Sequence, residues 1–379
     1  MQKESVTNTH ALLSASSAHR WLECPPSARA TAGLEDNSST YAQEGTDAHA
    51  LAQFKVEQIV GIKSKDPTAD LQYYDGQMEE CANEYAEYFS EKYESIKQNC
   101  PDPLVLVEQK LDFSRYVPEG FGYVDCLIVA DNTMHVIDFK YGMGVEVSAV
   151  NNPQMFLYAL GGLELFDGIY NIENIKLSIF QPRLSNISEY EVSKKKLLVW
   201  STKVLTPKAA LAYKGQGDFK AGEHCRFCKL KSTCRKRAEY NLEMAKYDFR
   251  MPDKLSNTEI SAILDKSEQF ISWINDIKNY ALTKALQGEK FEGYKVVAGK
   301  SNRKFTDEDE VARVVIDLGY EPYEKKLLSI TAMTSLLGKK QFEENLSGLI
   351  YKPAGKPTLV TADDKRPEIR SAIEDFKEL

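Results

Sequence analysis

GYVDCLIVADNTMHVIDFKYG, residues 122–142, decides how this chain folds. Its apolar residues are β-branched and aromatic. Asp131-Asn132 divides them into two runs, FGYVDCLIVA (121–130) and MHVIDFKY (134–141). Two such runs around a short polar turn read as a β-hairpin. If the loop has two residues, the pairing places Asp125 directly opposite Asp138. Their Cβ atoms then stand roughly 5 Å apart, close enough for like charges to repel. Residues two apart in a strand share a face, so Lys140 is a neighbour of Asp138. Val124, Leu127, Ile128, Val129, Val136, Ile137 and Phe139 flank these groups, which predicts central, partly buried strands. Charges in such a place are costly unless they serve a purpose. A divalent cation bound by oxygen, Mg²⁺ or Mn²⁺, would neutralise the carboxylates. The structural alternative is a Lys–Asp ion pair at a strand end, and D-x-K alone is a common pattern.

Outward from the hairpin, helix and strand patterns alternate. Residues 14–23 read as a short helix stopped by Cys24-Pro25-Pro26. Glu44–Val60 and Gln77–Gln98 read as amphipathic helices around a polar loop at 62–70. LVLVEQKLDF (104–113) is a further strand. Asn152-Pro153 opens a helix through Leu160, and IKLSIFQPR (175–183) and SEYEVS (188–193) return to strand patterns. That order predicts an α/β domain with a mixed central sheet flanked by helices over 1–245. MPDKLSN (251–257) reads as a linker into a helix at about 258–286, striped with Ile260, Ile263, Leu264, Ile271, Ile274, Ile277 and Ala281. Linker and long helix fill 246–290. A small C-terminal accessory region, mostly helical or α+β with short strands, is expected over 291–379.

The chain has 379 residues, 42% of them hydrophobic, and a formal charge of −8. That suffices for one large core and an accessory domain. No apolar run reaches the length of about 18 residues that marks a membrane-spanning helix. The start, MQKESVTNTHALLSASSAHRW, lacks the basic and apolar segments of a signal peptide, so a cytoplasmic protein is expected. Seven cysteines in that compartment point to reduced, buried or metal-bound thiols. Against the acidic total, Ser193–Arg237 carries thirteen Lys or Arg and only Asp218 and Glu223. Local charge of this kind suits a polyanion, or else a solvated helix face.

In sequence order stand Gly45-Thr46-Asp47-Ala48-His49, Gly122-Tyr123-Val124-Asp125, Ile137-Asp138-Phe139-Lys140 and Gln154-Met155-Phe156-Leu157-Tyr158. Together these resemble the PD-(D/E)XK nuclease family in its RecB-type form, over about residues 20–240. The resemblance implies a restriction-endonuclease-like core and phosphodiester hydrolysis. It assigns Asp125 and Asp138 to one or two Mg²⁺ or Mn²⁺ ions. His49, Glu108 and the backbone carbonyl of Phe139 would be further metal ligands. Lys140 would stabilise phosphoryl charge, and Gln154 and Tyr158, four apart on one helix face, would hold Lys140 or the phosphate. A packing role for that last pair is the alternative.

GEHCRFCKLKSTC (222–234) adds three cysteines in C-x2-C-x5-C spacing: Cys225, Cys228 and Cys234. Such spacing suits an iron–sulfur cluster or zinc equally. The chain resembles the AddB nucleases and the CRISPR-associated iron–sulfur exonucleases, in which one upstream cysteine and three downstream bind a [4Fe–4S] cluster. Cys24 in AHRWLECP would be the fourth ligand, with Zn²⁺ as the alternative occupant. His224 reads as a neighbour rather than a ligand. LLSASSAHRWLECPPS (12–27), GKSNRKF (299–305), KPAGKPTLV (352–360) and ADDKRPEI (362–369) resemble the phage and prophage family called domain of unknown function 2800. The implied function is a DNA nuclease, an exonuclease on ends or single strands in phage replication or recombination. Its partners would be DNA and phage replication or recombination proteins, with oligomeric state left open. A DNA-binding or assembly factor that keeps the fold without catalysis is the alternative.

Overall fold

The computed structural model describes residues 11–34, 40–166, 168–243, 256–298, 305–323 and 327–351. The chain forms two compact units, 1–296 and 297–379. In the first, short helices α1 (Ala18–Glu23) and α2 (Ser27–Ala30) precede the long helices α3 (Thr40–Ile59) and α4 (Gly76–Lys97). Strands β1 (Leu104–Asp112), β2 (Phe121–Ala130) and β3 (Thr133–Phe139) lead to α5 (Pro153–Leu165). Then come β4 (Asn174–Gln181), β5 (Asn186–Ser193), α6 (Lys194–Trp200), α7 (Thr206–Lys214), α8 (Arg235–Leu242) and α9 (Asn257–Leu286).

The strands form one mixed five-stranded sheet in the order β1-β2-β3-β4-β5. All neighbours are antiparallel except β3 and β4, which run parallel because α5 carries the chain back across the sheet. One face packs α1 and α5 to α7 around Trp21, Leu111, Val124, Val136 and Leu177. The other packs α3 and α4 around Leu51, Tyr85, Phe89, Ile137 and Phe139. The α/β class and the mixed sheet expected from sequence are therefore present.

Three local features position the site. The β2–β3 loop has two residues, and Asp131 takes the left-handed backbone (φ 50) that such a turn requires. The ladder runs from Ala130↔Thr133 to Cys126↔Ile137, so the next step places Asp125 opposite Asp138. On the other edge, Val107 faces Cys126 and Gln109 faces Val124, which leaves Glu108 opposite Asp125 without a ladder pair and at φ 47. The side-chain alternation slips here. Val105 and Val107 point into the α3–α4 core, yet Leu111 joins the other. A kink of this kind re-aims side chains. Finally, α5 starts on Asn152, whose side chain accepts from Gln154 N and Met155 N. It lies close against the sheet: a Cβ on Gly161 would stand 2.8 Å from Leu111 Cβ.

Some expectations need correction. β3 ends at Phe139, so Lys140 lies just beyond the strand, although its N–H still bonds Phe180 O on β4 at 2.9 Å. Along the α9 stripe Ile263, Ile274, Ile277 and Ala281 are half-buried, Ile260, Leu264 and Ile271 are exposed, and Trp273 is the buried residue of that helix. In the second unit the described residues form α10 (Glu308–Asp317), α11 (Ile330–Leu337) and α12 (Lys339–Leu346), with no strand among them, so the short strands expected there are not seen. Residues 251–255 of the expected linker, 299–304 of GKSNRKF, and both KPAGKPTLV and ADDKRPEI lie outside the described residues. No helix among the described residues is long and apolar enough to cross a membrane.

Candidate active site

α3 brings His49 to the sheet. Two residues earlier, the buried carboxylate of Asp47 accepts the N–H groups of Gln72 and Tyr73, both at 2.8 Å, and so fixes the helix against the following loop. The His49 ring packs edge-on against Phe139, with centroids 5.4 Å apart. Its Nδ1 lies 3.2 Å from Asp125 Oδ1, while Asp125 Oδ2 accepts the Phe139 N–H at 2.6 Å. One ligand atom from each of His49, Glu108 and Asp125 falls within 4.8 Å of the others, the one such group among the described residues. A small cleft lined by His49, Gln53, Val107, Glu108, Asp125 and Phe139 opens over them.

The electrostatics match a site short of positive charge. Burial, reinforced by the charge on Asp125, pushes the Glu108 carboxyl up to about 7. Burial would lift Asp125 as well, but His49, Lys140 and the Phe139 N–H together hold it below the ordinary carboxylate range. Burial lowers the affinity of His49 for its proton, and Asp125 more than restores it.

Asp138 departs from expectation. It was expected to share a metal with Asp125, yet it does not join the His49 group. It is nearly fully buried and turns toward α5 and Lys140. Lys140 Nζ stands 2.9 Å from Asp138 Oδ2, and Gln154 Nε2 donates to Asp138 Oδ1 at 3.1 Å. Gln154 Oε1 in turn accepts from Lys140 Nζ at 3.2 Å, and Gln154 Nε2 also reaches the Tyr158 hydroxyl at 3.1 Å. Burial raises the Asp138 carboxyl even against the pull of Lys140. The same burial works against the Lys140 ammonium, but Asp138 and Asp125 outweigh it and keep the charge on. The sheet thus delivers two adjoining half-sites: His49–Glu108–Asp125 on the α3 side and Asp138–Lys140–Gln154–Tyr158 on the α5 side. Phe139 lies between them, its ring in the core.

Two positioning devices were not foreseen from sequence. One is Asp47. The other is Gln181, at the end of β4, which is buried and ties down the loop that follows Lys140. Its side chain donates to Gly142 O and Val145 O, and accepts from Val147 N. A glutamine ending the run Ser178-Ile179-Phe180, just before Pro182, was the available signal for it.

The cysteines occupy one region without closing on a point. Cys24, Cys225 and Cys228 are buried and Cys234 is half-buried. Lys220 N–H donates to Cys24 Sγ at 3.5 Å, which joins α1 to the chain before Cys225. Burial raises the Cys228 thiol, and Cys234 and Cys24 are near enough to add to the effect. No three of the four sulfurs come within 4.8 Å of one another. His224 is buried, its Nε2 2.8 Å from Lys220 O. Cys81 and Cys126 are buried thiols, and burial pushes the former up to about 11. The basic run is partly spent inside the protein. Lys208 and Lys220 meet Glu23, Lys231 and the buried Arg237 meet Asp276, and Arg226 donates to Gly144 O at 3.2 Å. It is not a continuous free surface.

A family model described as "Protein of unknown function (DUF2800)" matches residues 10–367. The chain belongs to the DUF2800 family. Among solved structures, this DUF2800 chain is similar to one titled "Crystal structure of SSO0001", at 16% identity and a TM-score of 0.23. The match covers 49% of this chain and 95% of that one.

Proposed function

We propose that the chain is a Mg²⁺- or Mn²⁺-dependent DNA nuclease on a PD-(D/E)XK-type core. It would hydrolyse phosphodiester bonds at ends or in single strands, in the setting of phage replication or recombination. The observation that carries this reading is the convergence of His49, Glu108 and Asp125 beside a buried Asp138–Lys140 pair. The donor set fits a divalent cation, with one imidazole nitrogen and two carboxylates at one point. Burial and the charge on Asp125 raise the Glu108 carboxyl, so a cation bound there would have two carboxylates to neutralise.

In this reading His49, Glu108 and Asp125 hold the cation, and the Phe139 carbonyl is a candidate for a further oxygen ligand. A bound Mg²⁺ or Mn²⁺ supplies Lewis-acid polarisation of the phosphate and an acidified water. Lys140 keeps its proton and places a positive charge where phosphoryl oxygens gain negative charge. Gln154 splints Lys140 to Asp138, and Tyr158 holds Gln154, so the ammonium is oriented before substrate arrives. Asp138 serves as the counter-charge that keeps Lys140 in place, and is a candidate for a second metal once Lys140 turns to the phosphate.

Cys24, Cys225, Cys228 and Cys234 would hold a [4Fe–4S] cluster or Zn²⁺. Tetrahedral zinc with bonds of about 2.3 Å sets its sulfurs roughly 3.8 Å apart. The four-cysteine set suits a [4Fe–4S] cluster as well as zinc. The cluster would clasp α1 to the end of the sheet domain. Anaerobically purified protein should then be brown and absorb near ~400 nm, the behaviour expected of thiolate clusters. A colourless protein with one zinc would decide for the alternative.

The test of the nuclease reading is end-labelled single- and double-stranded DNA incubated with Mg²⁺ or Mn²⁺. Wild type should degrade it, and Asp138→Ala and Lys140→Ala should not. Equal degradation by all three would sink the assignment.

A further inference from the structure

The sheet face beyond the metal-binding half-site is neither core nor plain surface. Past the kink, Lys110 and Asp112 on β1 share a face with Tyr123 and Phe121 on β2, two residues along the strands from the unpaired Glu108 and Asp125. Lys110 faces Tyr123 and Asp112 faces Phe121. The two rings stand edge-to-face with centroids 6.5 Å apart, and Lys110 Nζ lies 4.2 Å from the centre of the Phe121 ring. Tyr123 is 48% exposed. At about 3.4 Å per residue, Tyr123 lies ~7 Å along the strand from Asp125, a span comparable to one extended nucleotide. Phe121 lies one such step farther.

An exposed tyrosine beside a half-buried phenylalanine, on the strands that carry the metal ligands, has a clear chemical use. Nucleobases present flat π-faces and stack on aromatic side chains without regard to sequence. A lysine beside them meets the phosphate that links two stacked bases. In a duplex those faces are already covered by neighbouring base pairs.

We propose that Tyr123 and Phe121, with Lys110, form a stacking platform that takes the unpaired bases next to the scissile phosphate. The proposal rests on the nuclease reading and deepens it: the strand must present free base faces, so the substrate is single-stranded DNA or a frayed end. Tyr123 takes the base adjoining the cleaved bond, and Phe121 the one beyond.

The test is fluorescence anisotropy of a labelled oligothymidylate and of an abasic strand with the same number of phosphates, in EDTA so that nothing is cleaved. Tyr123→Ala should bind the oligothymidylate about 5- to 150-fold more weakly, the cost of losing one stacked base. It should bind the abasic strand as wild type does. Tyr123→Phe should restore the oligothymidylate affinity, and Tyr123→Leu should not. Equal affinity of wild type and Tyr123→Ala for the oligothymidylate overturns the platform, as does an equal loss on both strands. Metal-dependent cleavage measured in parallel separates the two readings. Wild type that neither binds nor cleaves DNA overturns both, whereas wild type that cleaves while Tyr123→Ala binds normally overturns the platform alone.

Discussion

Replacing Glu108 with Gln should stabilise the metal-free protein above neutral pH. The carboxyl rises from 4.5 to about 7 in the folded state, by burial and by the charge on Asp125. The folded protein therefore holds this proton through a range in which the unfolded chain has released it. The contribution to stability is complete below pH 4.5, falls as pH rises toward about 7, and stays lost above. At about 1.4 kcal/mol per pH unit, the full shift is worth about 3 kcal/mol. Glu108 is half-buried, and solvent screening reduces this to on the order of 2 kcal/mol. Gln keeps the shape and the same left-handed backbone, so it removes the charge alone. All three tryptophans, Trp21, Trp200 and Trp273, lie in the first unit, so their fluorescence in urea reports that unit without the second. In EDTA at about pH 8, Glu108→Gln should unfold at higher urea than wild type, by on the order of 2 kcal/mol, and the gap should close toward pH 4.5. Added Mn²⁺ should reverse the ranking, because wild type binds it with one more carboxylate. Coincident curves in EDTA at pH 8, or a gap that does not change with pH, would refute the reasoning.

Other predictions follow from packing and positioning. Gly161→Ala would drive a Cβ to 2.8 Å from Leu111 Cβ and push α5 off the sheet. It should cost about 1–3 kcal/mol in the same urea assay. Asp276→Ala should leave the buried Arg237 without its partner and cost about 3–5 kcal/mol, seen as faster proteolysis around α8 and α9. Gln154→Leu removes the splint between Lys140 and Asp138 while leaving the metal-binding half-site intact. Cleavage should fall about 10- to 100-fold with Mn²⁺ affinity unchanged, since a misplaced group can cost that much. A parallel loss of Mn²⁺ affinity would show that Gln154 supports the fold instead.

Most of the fold was legible because it rests on local signals. The paired β-runs, the Asp131-Asn132 turn and the Asn152-Pro153 helix start each carry their own geometry, so the β2–β3 register up to Cys126↔Ile137 follows from sequence. What was not legible depends on backbone irregularity and on competition between partners. A positive φ at Glu108 leaves no mark in sequence, because glutamate is not a residue that favours it. Asp125 lies against His49, whereas Asp138 is left to Lys140 and Gln154, which no pairing rule foretells. The basic run shows a similar competition: Arg237 and Lys231 pair with Asp276, some forty residues away on α9.

Anomalous diffraction from crystals soaked in Mn²⁺ would show whether His49, Glu108 and Asp125 hold a divalent cation. A peak is expected within bonding distance of a His49 ring nitrogen and of one carboxylate oxygen from each of Glu108 and Asp125, with no peak there in His49→Ala crystals. Mn²⁺ bound only at surface carboxylates, with this cleft empty in wild type, would contradict that assignment.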